Sequence, residues 1–510
     1  MNEAVLFIGV DIGTFETKAV LVNGLGQILA RSAKPHGLSS PHPGWAEHDA
    51  DDVWWGDFVY TVKELLQHPA AQTGTIAAVA CSAIGPCTLP VDENLKPLRP
   101  GILYGVDTRS GPQIEQLNAR LGVEEIFART GNQLTTQSAG PKILWLKENE
   151  PEVYAKTRYY LSGHGYVIAK LTGAITMDYS TSGSYHPIFD LKTGGWDISG
   201  CEDFIRHEQL PKMGWSTEIA GTVTAEASAI TGLPIGTPVT FGASDAPAEA
   251  VSAGVLDAGD LMLMYGSSSF MIQMFDAPVP DKILWSSPFV FEQSYVLSAG
   301  TSTAGTLTHW IADILGIGSA DDPQARFAEL LRLAEESPIG AKNLLMLPYF
   351  SGERTPHHDP EARGVLSGLT LSHQRSDIVR AALEGVAHSI VDALSRYEEI
   401  KQRPRTIRAV GGGTKNTIFI QTVSDLLNQE QIIADTPGAS YGDAMLAALA
   451  VGYFTERSEL AAWCQTGDTI RPNLDSRKIL LPLHQDFKQL YSSTKDIIHN
   501  QYERDTTHGS

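Results

Sequence analysis

The chain opens with an apolar run, Val5-Leu6-Phe7-Ile8-Gly9-Val10, that stops at Asp11-Ile12-Gly13-Thr14 and resumes from Lys18 to Val22. Asn23-Gly24-Leu25-Gly26-Gln27 reads as a hairpin turn and Ile28 to Ala33 as the returning strand. Strands joined by turns this short must pair antiparallel, because a parallel return needs a crossover of a dozen residues or more. The opening therefore excludes the strand–helix unit with which a dinucleotide-binding fold begins. A helix is expected near Val53 to Leu66, with Val59, Val62, Leu65 and Leu66 on one face, and Ile76 to Ser82 reads as a buried strand.

The pattern recurs further on. Asp260 to Tyr265 is again apolar, Gly266-Ser267-Ser268-Ser269 again turns, and Phe270 to Met274 again runs on. Gly13-Thr14 and Gly266-Ser267 hold equivalent places, which points to a duplicated domain with a boundary near residue 250. At 510 residues the chain is too long for one hydrophobic core, so two or more domains are expected in any case. The longest helical stripe is Val379, Ala382, Leu383, Val386, Ile390, Val391 and Leu394, with Ser376 as its expected N-cap and Asp377 in the first turn. A glycine turn, Gly411 to Asn416, follows the strand-like Ile407 to Val410. The polar tail after Asn500 reads as loose.

Charge narrows the partners. With 38 basic and 59 acidic residues the formal charge is −21, which repels nucleic acid and anionic membranes. The four cysteines show no C-x-x-C spacing and read as reduced, mostly buried thiols. Met1-Asn2-Glu3-Ala4 lacks the basic region of a signal peptide, and no apolar run is long enough to span a bilayer. A soluble, cytoplasmic protein is expected.

Three segments could carry chemistry. In Ile8-Gly9-Val10-Asp11-Ile12-Gly13-Thr14-x-x-x-Lys18 a carboxylate ends a buried strand beside a Gly-Thr turn. The turn's N–H groups and the Thr14 hydroxyl suit phosphate oxygens and Asp11 suits Mg2+; a plain turn with a backbone-bonded aspartate reads the same way. Val239 to Asp245 delivers a carboxylate to the start of an alanine-rich helix, either as a base for a hydroxyl proton or as an N-cap. Gly411 to Asn416, with the later Gly438 to Asp443, could admit a flat base against bare backbone, or be ordinary loops. His357 and His358 read as surface residues, and Trp45, Trp54 and Trp55 as core or interface. No G-x-S-x-G or H-E-x-x-H motif argues for a hydrolase.

In this order the segments resemble the FGGY family of carbohydrate kinases, within the actin-like ATPase superfamily. Ile8 to Lys18 resembles its first phosphate motif. Pro43-Gly44-Trp45-Ala46-Glu47-His48-Asp49 with Trp54-Trp55, Ile102 to Arg109, and Gly242 to Asp245 follow. Leu347-Pro348-Tyr349-Phe350-Ser351-Gly352-Glu353-Arg354-Thr355-Pro356, on to Gly364 and Gly368-Leu369, is the most specific block, and Ala409 to Asn416 resembles the adenosine motif. The resemblance implies an α/β protein of two actin-like (ribonuclease H-like) domains with a nucleotide cleft between them. Residues 1–248 would bind sugar and phosphate and residues 249–485 adenine nucleotide, with 486–510 a C-terminal helix and loose tail.

It also implies roles: Asp245 as the general base; Asp11 at Mg2+; Gly13, Thr14, Lys18, Gly266, Ser267 and Gly305 at the phosphates of ATP; Gly412, Gly413 and Asn416 at adenosine. A homodimer is a further implication. Within the family, Ser351 to His357 is most similar to the xylulokinase-like group, which makes D-xylulose the leading substrate. Two departures stand against it. Ile84, Gly85 and Pro86 replace a sugar-binding Gln-Met-His stretch, and Ala246 replaces an asparagine after the base. Asp107 and Arg109 remain as polar candidates for reading sugar hydroxyls. Another polyol, ketose or aldonate is the alternative substrate, and a non-catalytic nucleotide switch the remote one.

Overall fold

The structure, a computed structural model, describes residues 4–508, with side chains through 504. Met1 to Glu3, on which the reading of the N-terminus rests, and the last two residues of the tail lie outside them. The chain forms two compact units. One holds the residues up to 258 together with 274–297 and 436–465; the other holds 259–273, 298–435 and the chain from 466 onward.

In the first unit the strands Val5–Ile12, Glu16–Asn23 and Ile28–Pro35 pair antiparallel in succession, as the opening pattern requires. The Asn23 side chain closes the second turn, its Oδ1 accepting the N–H groups of Leu25 and Gln27 at 3.0 Å each. Thr75–Ala83 pairs in parallel with the other edge of Val5–Ile12, Pro238–Thr240 in parallel with Thr75–Ala83, and Ile219–Thr222 antiparallel beyond it. The second unit repeats this order. Asp260–Tyr265 pairs antiparallel with Ser269–Phe275 and in parallel with Thr406–Val410; Gln431–Ala434 follows in parallel and Thr466–Ile470 antiparallel. The recurrence of apolar run, glycine turn and apolar run is thus a recurrence of sheet topology.

Helices cover these sheets. Gly56–Leu66 continues from a π-helical segment, Ala50–Trp55, and buries Phe58, Val62 and Leu65 against the first core. Arg375–Glu399 is buried along most of its length. Its N-cap is Gln374 and not Ser376: the Asp377 carboxylate, three residues on, accepts the Gln374 N–H at 2.7 Å while Ser337 and Lys342 hold it in place. The chain beyond Asn500, read as loose, belongs to the helix Leu474–His508.

One helix of the first unit comes from far down the chain. Ala439–Ala450 packs against strand Val5–Ile12 and helix Asp245–Ser252. A Cβ placed on Gly9 would fall 1.9 Å from the Ser440 carbonyl oxygen, and one on Gly442 would fall 1.8 Å from that of Ala248. Both obstacles are backbone and cannot rotate away. Gly442→Ala is therefore expected to destabilise by about 1–3 kcal/mol or more in urea unfolding. Gly111→Ala, whose added methyl meets nothing within 4 Å, should leave the midpoint in place.

Candidate active site

Sheet register assembles the first unit's site. Asp11 lies opposite Lys18 on the neighbouring antiparallel strand and beside Ser82 on the parallel one. The short strand Ala243–Ser244 continues alongside Ser82 and Ala83, so Asp245 begins its helix next to the end of Val5–Ile12. The N-cap position belongs to Ser244. Asp245 is the first helical residue, its Oδ1 accepting the Ala246 N–H at 2.8 Å. Glu249 follows one turn later on the same face.

Asp11 and Asp245 are partly accessible, yet protein surrounds both. Burial, then the Asp245 charge, pushes Asp11 up to about 8, against the pull of the Ser82 hydrogen bond. Burial raises Asp245 to about 6, with backbone N–H groups and His164 holding it back. Glu249 rises to about 7 through burial and the Asp245 charge. Lys18 offsets Asp11 and Glu249, but its side chain is 58% exposed and also meets Glu16 at 3.4 Å. The sheet end is thus rich in carboxyl oxygens and short of positive charge.

Behind Asp11 stands a residue that sequence reasoning missed in this role. Asp443, fully buried, accepts the Ser82 N–H at 3.1 Å and lies 2.7 Å from the Ser82 hydroxyl, which is itself 3.1 Å from Asp11 Oδ1. One hydroxyl proton serves one carboxyl at a time. Burial pushes Asp443 well above the carboxylate range, and the Asp11 and Asp245 charges push the same way. Gly438 to Asp443, read either as a base-contacting turn or as an ordinary loop, begins helix Ala439–Ala450 and places this acid.

Other polar groups gather nearby. Thr14 Oγ1 is 3.2 Å from the Tyr104 hydroxyl; burial raises Tyr104, and the Asp245 charge pushes the same way. Ser244 Oγ is 2.8 Å from Thr181 Oγ1. Buried His164 pairs with Asp178 at 2.7 Å. Sequence spacing offered no signal for Tyr104, Thr181, His164 or Asp178, because only the folded sheet brings them to Asp245.

The residues expected at the sugar are mostly buried. Asp107 and Arg109 are buried partners of each other: Arg109 Nη2 reaches Asp107 at 2.7 Å and Glu47 at 2.8 Å, its guanidinium lies 3.9 Å from the Trp45 ring centre, and Asp107 also accepts the Ala46 N–H. They tie the Trp45 segment to the Tyr104 segment, and Arg109 Nη1 is buried without a hydrogen-bond partner. Ile84 belongs to the core, and Pro86 is buried; Gly85 is partly accessible, and a Cβ there would lie 2.6 Å from Ser244 Oγ.

The second unit carries a matching turn. The N–H groups of Ala304 and Gly305 donate to the carbonyls of Ser267 and Gly266 at 2.9 Å, so helix Gly305–Ile314 starts against that turn. Gly411 and Gly413 pack on the backbone of Tyr265, where a Cβ would meet the Tyr265 carbonyl oxygen at 2.7 and 2.9 Å. Gly412 faces open space. Asn416 caps helix Thr417–Leu427 through Oδ1, while its Nδ2 is buried without a partner, as are Ser269 Oγ and Thr303 Oγ1. The Glu353-Arg354-Thr355 block braces this region: Glu353 accepts the Ser302 N–H, Thr355 donates its N–H to Gly300 O, and Arg354 donates to Thr301 O. His357 stacks on Tyr491 and lies 3.4 Å from Asp392. Among the described residues no three His, Cys, Asp or Glu side chains converge as a metal cage, and no helix is long and apolar enough to cross a membrane.

Two sheets of one repeated order, with a carboxylate-lined strand end in one and a glycine-lined turn in the other, define a two-domain α/β phosphotransferase architecture. Residues 6–252 match the N-terminal domain of the FGGY family of carbohydrate kinases and residues 261–451 its C-terminal domain. The chain belongs to that family and is a carbohydrate kinase. It is 29% identical to the xylulose kinase of Bacillus subtilis (strain 168) over 96% of its own length and 97% of that protein. It is 28% identical to the gluconokinase of Bacillus licheniformis over 88% and 87%. The crystal structure of xylulose kinase from Rhodospirillum rubrum superposes with a TM-score of 0.91 at 30% identity, covering 97% of this chain and 100% of that one.

A buried carboxyl raised in the folded state contributes stability at low pH that is lost as pH rises through its folded value. Asp443→Asn, which keeps the acceptor for Ser82, is therefore expected to melt higher than the unmodified protein at pH 8 by a wider margin than at pH 5. Thermal melts at the two pH values check this.

Proposed function

We propose that the chain transfers the terminal phosphoryl group of ATP to a hydroxyl of a ketopentose, with D-xylulose the first candidate. The observation that carries this reading is Asp245: a partly accessible carboxyl, raised to about 6, at the start of a helix and facing Asp11. At neutral pH it is ionised, yet basic enough to accept the proton of an attacking hydroxyl. Its hydrogen bond to the Ala246 N–H fixes the carboxylate's orientation.

The surrounding residues take positioning roles. Gly13, Thr14 and Lys18 hold phosphate oxygens from the first unit. Gly266, Ser267 and Gly305 do so from the second, where Gly412, Gly413 and the orphaned donor of Asn416 meet adenosine. Asp11 holds Mg2+. The donor set fits that ion, since Mg2+ takes one or two carboxylates and completes its shell with phosphate and water. When bound, it neutralises charge on the transferring phosphoryl group. The excess of carboxyl charge against Lys18 is the observation that supports a cation here. Thr181, Ser244 and Tyr104 surround Asp245 with hydroxyls suited to a polyhydroxylated substrate.

The ketopentose reading draws on the relatives named xylulose kinase. A second reading, an aldonate, is favoured by the gluconokinase relatives and by Ile84-Gly85-Pro86 and Ala246, which replace polar groups expected in a xylulose pocket. ADP formation with Mg-ATP against ketopentoses, other ketoses, polyols and aldonates separates them. Stimulation by one or a few sugars is expected, with a loss of at least about a hundredfold in Asp245→Asn. The acid limb of kcat/KM should fall near pH 6. ATP binding with no stimulation by any substrate would overturn the assignment of Asp245 and favour a nucleotide switch.

A further inference from the structure

The Gly13-Thr14 turn is gripped from behind. His36 Nε2 lies 3.0 Å from the Gly13 carbonyl oxygen and His48 Nε2 lies 3.1 Å from that of Thr14. The two rings meet edge to face at 5.0 Å between centres. Each histidine is anchored in turn. Trp54 Nε1–H donates to His48 Nδ1 at 3.2 Å, which leaves the ring's proton on Nε2, aimed at Thr14. Burial, then His36, holds His48 down at about 4, so the ring stays neutral with that single N–H. His36 Nδ1 faces the Asp57 carboxylate at 2.8 Å, and Lys34 Nζ meets the other Asp57 oxygen at 2.7 Å.

A trans peptide points its carbonyl and the following N–H in opposite directions. Drawing the Gly13 carbonyl toward His36 turns the Thr14 N–H the other way, and drawing the Thr14 carbonyl toward His48 does the same for the Phe15 N–H. Among the described residues neither N–H has an acceptor, whereas the Gly13 N–H is engaged with Glu16 O at 3.0 Å. Two successive unengaged N–H groups form a concavity for an anion.

We propose that His36 and His48 are positioning residues for phosphoryl transfer, clamping the carbonyls of Gly13 and Thr14 so that the amides of Thr14 and Phe15 face the nucleotide's phosphates. This rests on the reading of the turn as a phosphate site. It gives the segment from Trp45 to Trp55 a function of its own: Trp54 acts on the turn through His48, with no contact to substrate.

Paired substitutions test the clamp. At either position glutamine places its amide near the imidazole Nε2 and can still reach the carbonyl, whereas asparagine mimics only Nδ1 and cannot. His36→Asn and His48→Asn are expected to raise KM for ATP about tenfold or more and to lower kcat, with KM for the sugar within about twofold. His36→Gln and His48→Gln should stay within about threefold of the unmodified enzyme for ATP. Thr14→Ala, measured alongside, tests the turn itself through its hydroxyl. If Thr14→Ala raises KM for ATP while the asparagine and glutamine variants behave alike, the clamp is overturned and the phosphate site stands. If Thr14→Ala and all four histidine variants leave ATP parameters unchanged, the phosphate-site reading falls and takes the clamp with it. All variants are polar replacements or a small truncation, and melting curves identify any that fail to fold.

Discussion

Helix Ala439–Ala450 can reach the first sheet only because two glycines bare the backbone along its path, Gly9 on the strand and Gly442 on the helix itself. A side chain on Gly9 would force helix and strand apart, and one on Gly442 would push the helix off helix Asp245–Ser252. The approach sets Asp443 behind Ser82 and Asp11, and it holds the helix that begins with Asp245 against the same surface. The catalytic end of the sheet is therefore built from segments near the start, the middle and almost the end of the chain. Their relative placement depends on contacts with no side-chain slack.

Electrostatics at this point runs against stability. Asp11, Asp245, Glu249 and Asp443 are all raised by burial first, and three of the four carry an added push from a neighbouring carboxyl. A fold selected for stability alone would not place them so. Phosphoryl transfer offers the compensating reason, because oxygen donors poorly neutralised by protein are what a hard cation and its phosphates complete. The remainder of the first unit keeps those groups oriented: Ser82 between two carboxyls, Ala246 on Asp245, and the histidines behind the Gly13-Thr14 turn. Such preorganisation suits a reaction in which positioning and charge neutralisation do most of the work.

The most specific stretch of sequence, Leu347 to Pro356, has a bracing role. Glu353, Arg354 and Thr355 tie together strand ends and the start of a helix in the second unit, and Glu353 is raised to about 7 by burial. Asp107 and Arg109 do the same in the first unit. A buried charge in a distinctive motif can be a ligand or a structural tie. The difference lies in which partners it meets, and spacing cannot show that.

What the sequence determined by itself is local. The hairpin order of the opening strands, the turn at Asn23, the repetition at Asp260 and the placement of Asp11 and Asp245 at strand ends all follow from short continuous apolar runs broken by glycine and polar residues. Chain periodicity needs no tertiary information. The tertiary structure alone decided which groups meet: that Asp443 stands behind Asp11, that His36 and His48 hold the Gly13-Thr14 turn, that Tyr104 and Thr181 approach Asp245, and that Gln374 displaces Ser376 as a cap. Each depends on a long-range approach or a register, set by packing between elements far apart in the chain. No residue spacing along the chain encodes that distance.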